Sequence, residues 1–243
     1  MAILAGIHPV YEALKAGRPL DRLLVARGAG GTKLQEVIDL ARNQGIAIRF
    51  EPREALDRVA GGAAHQGLVA FGAAHGYVEL EDVIERARML VLLDGVEDPH
   101  NLGAVIRTVN AAGADGVIVP ERRAAGLTET VAKASAGAVE YTPVVRIGNV
   151  SQALEKLKRA GFWIFGLDER GGQRYDEAEF ADRSVLVLGA EGKGLHDLVK
   201  KRCDVLLRIP MAGQIASLNV SVAAGVVLFE WARRKRTATV SER

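Results

Sequence analysis

Apolar and polar positions along the chain fall into two successive alternations of strand and helix. In residues 1–72, His8–Lys15 has helical spacing and stops at the Ala16-Gly17 pair. Leu23–Val25 then reads as a strand, and Lys33–Asn43 as an amphipathic helix ended by Gly45. Ile46–Phe50 predicts a strand, Glu54–Ala60 a helix and Gly67–Phe71 a strand. This alternation implies a small layered α/β unit. The stretch Gly72-Ala73-Ala74-His75-Gly76-Tyr77 is small and polar enough for a linker, so we divide the chain into 1–72, a linker over 73–80, and 81–243.

The second series is more apolar. Met89–Leu93 is an unbroken apolar run, followed by strand patterns at Gly116–Val119, Phe162–Gly166, Val185–Gly189 and Val205–Ile209. Helical patterns at Leu102–Ala112, Leu127–Ala136, Val150–Ala160 and Leu195–Lys200 separate them. Strands apolar throughout and alternating with helices predict a parallel sheet covered on both faces. The last helix, Leu218–Arg236, is apolar almost all round through Leu228, which calls for burial inside a domain or against a partner. Its basic end, Arg233-Arg234-Lys235-Arg236, suits a helix C-terminus.

Composition narrows the class. With 49% hydrophobic and 26% charged residues among 243, the chain can build a real core, which excludes disorder and coiled coil. A formal net charge of +2, from 32 Lys+Arg against 30 Asp+Glu, does not by itself point to nucleic acid. The basic residues are clustered, however, at Arg122-Arg123, Lys200-Lys201-Arg202 and 233–236. Aromatics at 5% argue against a single-strand binder that stacks bases, and leave room for recognition of a folded RNA by shape and phosphates. One cysteine, Cys203, excludes an internal disulfide and a multi-thiolate metal site, and is expected to pack as a small hydrophobe. The histidines show no ligand spacing, so no metal is expected. Neither an export signal nor a long apolar span is visible, so the expectation is a soluble, cytoplasmic protein.

Three segments could carry chemistry. The first runs from Asp94 to Arg107, with Asp98-Pro99 as a helix start and Asn101 near the entrance, where an amide either caps the backbone or meets a ligand. Arg107 lies roughly 150° from the apolar stripe of Leu102, Val105, Ile106 and Val109, with Gly103 one turn before it. That glycine would leave room for a ribose or phosphate, though a solvated surface arginine explains the pattern equally well. The second is Val185-Leu186-Val187-Leu188-Gly189-Ala190-Glu191-Gly192-Lys193-Gly194, a buried strand entering a glycine-rich turn. Its spacing is neither a dinucleotide fingerprint nor a P-loop, and a structural turn would account for it. The third, Ile209-Pro210-Met211 through Ser217-Leu218-Asn219-Val220-Ser221, joins the last strand to the last helix. Ser217 reads as the N-cap, which leaves Asn219 without an assigned partner.

Taken in order, D-x-x-x-D-P-x-N-x-G-x-x-x-R, G-x-E-x-x-G and I-P-M…S-L-N-V-S, these segments resemble the signature motifs of the SpoU (TrmH-type) RNA ribose 2′-O-methyltransferases of the SPOUT superfamily. The match runs from about Leu90 to the C-terminus, and residues 1–72 resemble that family's N-terminal RNA-binding domain, which is similar to ribosomal-protein folds. Gly6-Ile7-His8-Pro9-Val10, Gln66-Gly67 and Lys133-Ala134-Ser135-Ala136-Gly137-Ala138 with Glu140 match the branch that methylates a guanosine of 23S rRNA. The resemblance implies an α/β SPOUT domain with a parallel sheet and a deep trefoil knot, an exception to the unknotted norm. It implies S-adenosylmethionine held around Leu188, Gly189, Ile209, Met211 and Leu218, a homodimer with the site at its interface, and RNA as substrate. Arg107, Asn101, Glu191, Ser217 and Asn219 become the expected catalytic set.

The family role of Arg107 is to take the ribose proton with help from an RNA phosphate. A guanidinium rarely deprotonates, so gripping the phosphate and stabilising the developing alkoxide is the reading closer to the physics. His100 is not part of the motif and is read as a bystander. The same chemistry on tRNA or another rRNA position is an alternative substrate reading. A non-catalytic RNA-binding or ribosome-assembly protein is the alternative from another class.

Overall fold

The computed structural model describes residues 2–73, 75–215 and 217–241, with side chains to residue 237. Strands β1 (Ala2–Ala5), β2 (Leu20–Ala26), β3 (Ala47–Glu51) and β4 (Leu68–Gly72) form a sheet in the order β1-β4-β2-β3. β3 runs parallel to β2, while β4 is antiparallel to β1 and β2. Alternation along β2 sends Leu23 and Val25 towards α1 (Ile7–Lys15) and α2 (Thr32–Asn43), and Leu24 and Ala26 towards α3 (Arg53–Ala60). Each expected element of this unit is present. β1 is the addition, a four-residue strand too short to show a period in the sequence.

The second sheet has seven strands, all parallel, in the order β7-β6-β5-β10-β8-β11-β9. Its centre is the apolar runs expected to be buried: β5 (Met89–Asp94), β6 (Gly116–Pro120), β8 (Trp163–Leu167), β10 (Ser184–Gly189) and β11 (Val205–Arg208). The edges, β7 (Val144–Ile147) and β9 (Gln173–Arg174), are short and were not legible as strands. On one face α5 (Pro99–Ala112), α6 (Glu129–Ala134) and α9 (Val220–Ser241) enclose a core that includes Leu102, Ile106, Val131, Leu228 and Trp231. On the other face α4 (Leu80–Ile84), α7 (Val150–Arg159) and α8 (Asp197–Lys200) cover Leu90, Leu92, Ile164 and Val187. α4 is a further element that the sequence pattern did not show.

Two helices are shorter than their patterns suggested. α6 ends before Ala136, whose φ of 50° is left-handed. α8 begins after Leu195, a buried residue in the preceding turn, with Leu198 left exposed. Cys203 packs partly buried on the α7–α8 face, and burial pushes its thiol up to about 12.

The two sheets are held against each other by buried charge. Arg18 Nη1 donates to Glu140 Oε1 at 3.0 Å, with side chains only 8% and 4% exposed. His75 Nε2 stands 2.6 Å from Arg18 Nη1 and 3.1 Å from Glu140 Oε1. Tyr141 donates its hydroxyl to the Glu12 carboxylate at 2.8 Å. Residues that cross the expected linker therefore belong to a packed joint, and Val78 already pairs with Val145 of the second sheet.

Candidate functional site

Parallel strands leave a crevice beyond their carboxyl ends, and here the ends of β8, β10 and β11 open on a cavity of about 220 Å³. Leu188, Gly189, Ile209, Met211 and Leu218 all line it, as do Glu191 and Ser217. Its walls are aliphatic side chains and peptide groups, with Asp168, Glu169, Lys193 and Lys200 adding charge. Gly189 has a specific steric reason. A Cβ there would stand 2.1 Å from the carbonyl carbon of Gly194 and 2.4 Å from the amide of Leu195, so the returning chain crosses directly over it. The turn between is closed by Gly194 N–H donating to Ala190 C=O at 2.8 Å, and Glu191 projects from it, exposed.

Asp168 was not anticipated. It follows β8 as Asp94 ends β5, a polar residue closing an apolar strand, and that position is the signal that could have found it. Its Oδ1 accepts from Arg170 N–H at 2.9 Å and its Oδ2 from Lys200 Nζ at 2.7 Å. Burial pushes this carboxyl up, but the bonds from Lys200 and Arg170 outweigh it and hold it below the ordinary value. Asp94 plays a positioning part: its Oδ2 accepts from both the backbone N–H and the Nδ1 of His196, each at 2.9 Å, tying the glycine-rich turn to β5.

The motif amides meet. Asn219 Nδ2 donates to Asn101 Oδ1 at 2.9 Å, joining the start of α9 to the first turn of α5. Asn219 Oδ1 accepts from Ser221 N–H at 2.9 Å and Ser221 Oγ at 2.6 Å, which makes Asn219 the cap of α9. The expectation that Ser217 caps this helix is therefore corrected: the helix begins at Val220, and Ser217 is exposed on the cavity wall. At α5 the expected start holds, with Asp98 Oδ1 accepting from His100 N–H at 2.8 Å and Pro99 in the first turn. His100 itself is exposed.

Arg107 is exposed on α5, yet the structure does not bring it to the cavity of Glu191. It lies in a separate groove between the two sheets, with Lys133, His8, Gln66 and Tyr141. Gly103 also has a different task from the expected one. A Cβ there would lie 2.5 Å from Ala134 Cβ and 2.9 Å from Val131 C=O, so the glycine lets α6 pack onto α5 and leaves no room for a ligand. No group of three or more His, Cys, Asp or Glu placed to hold a metal ion occurs among the described residues. Nor, among these, is any helix long and apolar enough to cross a membrane.

Residues 88–229 match the model of the SpoU rRNA methylase family, and residues 3–78 match that of the RNA 2′-O ribose methyltransferase substrate-binding domain. The chain belongs to the SpoU rRNA methylase family. It is thus an RNA 2′-O-methyltransferase of the SpoU/TrmH type. It is 44% identical over 236 residues to YacO of Bacillus subtilis (strain 168), a protein assigned to the TrmH family of tRNA/rRNA methyltransferases, covering 95% of this chain and 94% of that one. Among solved structures, the SpoU methyltransferase AviRb from Streptomyces viridochromogenes, in complex with AdoMet, superposes with a TM-score of 0.81 at 26% identity. That match covers 96% of this chain and 89% of AviRb. An AdoMet-bound rRNA methyltransferase from Sinorhizobium meliloti gives 0.80 at 27% identity, covering 96% and 87%. In SpoU terms, motifs two and three of this chain build the cavity, while motif one divides: Asn101 reaches motif three and Arg107 faces the groove.

Proposed function

We propose that this SpoU methyltransferase transfers a methyl group from S-adenosylmethionine to the ribose 2′-OH of a guanosine in 23S rRNA, acting as a homodimer in the cytoplasm. The cavity fits the cofactor: aliphatic walls at Leu188, Ile209, Met211 and Leu218 suit an adenosine, and the carboxylates of Glu169 and Glu191 suit a cation, Asp168 being already bonded to Lys200. When bound, S-adenosylmethionine supplies a methyl on a sulfonium that leaves as a neutral thioether. Because that charge disappears in the transfer, walls that exclude water favour the transition state. We place the deep knot expected of the family at this cavity, which the sequence-distant segments 188–194 and 209–220 wall together.

Arg107 grips the RNA phosphate beside the target ribose and stabilises the oxygen as it loses its proton. Asn101 and Asn219 hold the two motif-bearing helices in register, and Glu191 and Ser217 shape the cavity mouth. The observation that carries the dimer is the separation of Arg107 from its own cavity: one site needs both, so the arginine of one subunit serves the cavity of its partner. A surface suits such a partner. Along α9, Val222 and Phe229 are 52% and 47% exposed, and Ile215, ahead of the helix, is 73% exposed. Val222 and Phe229, seven residues apart and so on one side of the helix, are the apolar residues that such an interface would cover.

The test is transfer of labelled methyl from S-adenosylmethionine to a 23S rRNA transcript and to bulk tRNA, followed by mapping of 2′-O-methyl positions. A methylated guanosine in the 23S transcript is the expected result. Methylation of tRNA instead gives the second substrate reading, which the tRNA/rRNA name of YacO keeps alive. No transfer to either would favour the non-catalytic reading.

A further inference from the structure

The groove that holds Arg107 has walls from both sheets: Gln66 and His8 on one side, Lys133 and Ala136 on the other. Arg107, Lys133 and His8 are exposed, and their side chains have no hydrogen-bond or ion-pair partner among the described residues. Other charges of the joint are by contrast satisfied, Arg18 by Glu140 and Glu12 by Tyr141. The described residues contain three non-glycine positions with left-handed backbone, and two of them, Gln66 (φ 52°) and Ala136 (φ 50°), line this groove. Such conformations cost energy and persist where the surroundings hold them, commonly at ligand sites. The Arg18–Glu140–His75 joint holds the two walls at a fixed separation, so the groove is pre-organised.

We infer that this groove between the two sheets is a second RNA subsite, which takes the strand flanking the target nucleotide: its phosphate on Lys133 and Arg107, its sugar or base edge on Gln66 and His8. The inference rests on the proposed RNA methyl transfer. It adds that substrate is gripped by the joint between the sheets, whereas the N-terminal sheet alone would be a tether. Glu12, bonded to Tyr141, is the one carboxylate among the residues lining the groove, and it suits a hydroxyl or base N–H donor and repels a phosphate.

The test uses the full chain with S-adenosylhomocysteine added to stop turnover. The probe is whichever of a 23S rRNA transcript and bulk tRNA the wild-type protein methylates. RNA affinity is measured over a KCl series for wild type, Lys133→Met and Gln66→Gly. Lys133→Met is expected to weaken binding on the order of tenfold and to make the salt slope shallower by about 0.7, the value for one lost phosphate contact on a single strand. Gln66→Gly is expected to weaken RNA binding with a melting temperature close to wild type, because relief of the left-handed backbone offsets loss of the long bond its Oε1 accepts from Ile7 N–H; a merely structural role would lower that temperature and leave RNA affinity unchanged. S-adenosylmethionine affinity stays at the wild-type value in both. Unchanged RNA affinity and slope in both variants, with methyl transfer by wild type intact, overturns the subsite and leaves the proposed function standing. Dimer dissociation in Lys133→Met with unchanged RNA affinity also overturns it, assigning the groove to a subunit contact. Failure of the wild-type protein to bind either RNA removes both readings.

Discussion

Asn219 does two things with one side chain: its carbonyl oxygen caps α9 through Ser221, and its amide donates to Asn101 at 2.9 Å. The first turn of α5 and the start of α9 are thereby fixed to each other across 118 residues of sequence. A lost cap costs about 1 kcal/mol, and stranding the buried Asn101 oxygen adds about 1–3 kcal/mol. Asn219→Ala should therefore be less stable by about 2–4 kcal/mol, with Asn219→Ser recovering the cap portion only. In a double-mutant cycle with Asn101→Ala, urea unfolding should show non-additive losses. Additive losses would mean the two amides do not interact in solution.

Arg107 lies outside the cavity, so its removal should leave cofactor binding alone. Arg107→Ala is expected to keep its S-adenosylmethionine affinity by calorimetry and to lose methyl transfer by about 100-fold or more, the scale of removing one transition-state donor. Gly189→Val should do the reverse and lose cofactor binding, because the side chain would meet the backbone of Gly194. If the arginine serves the partner's cavity, heterodimers of these two inactive chains contain one complete site. Mixed, co-refolded protein should regain activity, up to about half per heterodimer. No recovery would place both elements of the site in one chain.

The joint between the sheets is a buried ion pair, and breaking one side of such a pair costs about 3–5 kcal/mol. Glu140→Ala leaves Arg18 buried without its counter-ion, held only by the Ala73 carbonyl and His75. We expect faster proteolysis within residues 73–80 and loss of amide protection there, with the two sheets melting separately by calorimetry. The pair Arg18→Met with Glu140→Leu, which leaves no stranded charge, should restore a single transition. Cooperative melting of Glu140→Ala would show that the joint contributes nothing to docking.

Glu230 gives an acid-dependent term. Arg233 and Arg234 both bond its carboxylate, and they hold it down to about 2 from the ordinary 4.5. A carboxyl depressed in the folded state contributes stability that is complete above its unfolded value and is lost as pH falls towards the folded one. The difference in urea midpoint between wild type and Glu230→Gln should therefore be largest near neutral pH and shrink between about pH 4.5 and pH 2. A difference independent of pH would mean that the ion pairs on this helix do not act in solution.

The amino-acid pattern alone was enough for the central strands of the second sheet, because runs such as Met89–Leu93 and Val185–Leu188 are buried on both faces and are apolar at every position. It also carried the motif residues and, through their resemblance to a family, the chemistry. Short edge strands such as β9 escaped, since two residues have no period. Tertiary structure decided what each motif residue touches. Gly103 serves α6 rather than a ligand, Asn219 rather than Ser217 caps α9, and Arg107 faces the joint between the sheets. The reason is physical: helical spacing tells which residues share a face, but which neighbour comes to that face depends on contacts far apart in sequence, and those exist only once the two sheets have packed.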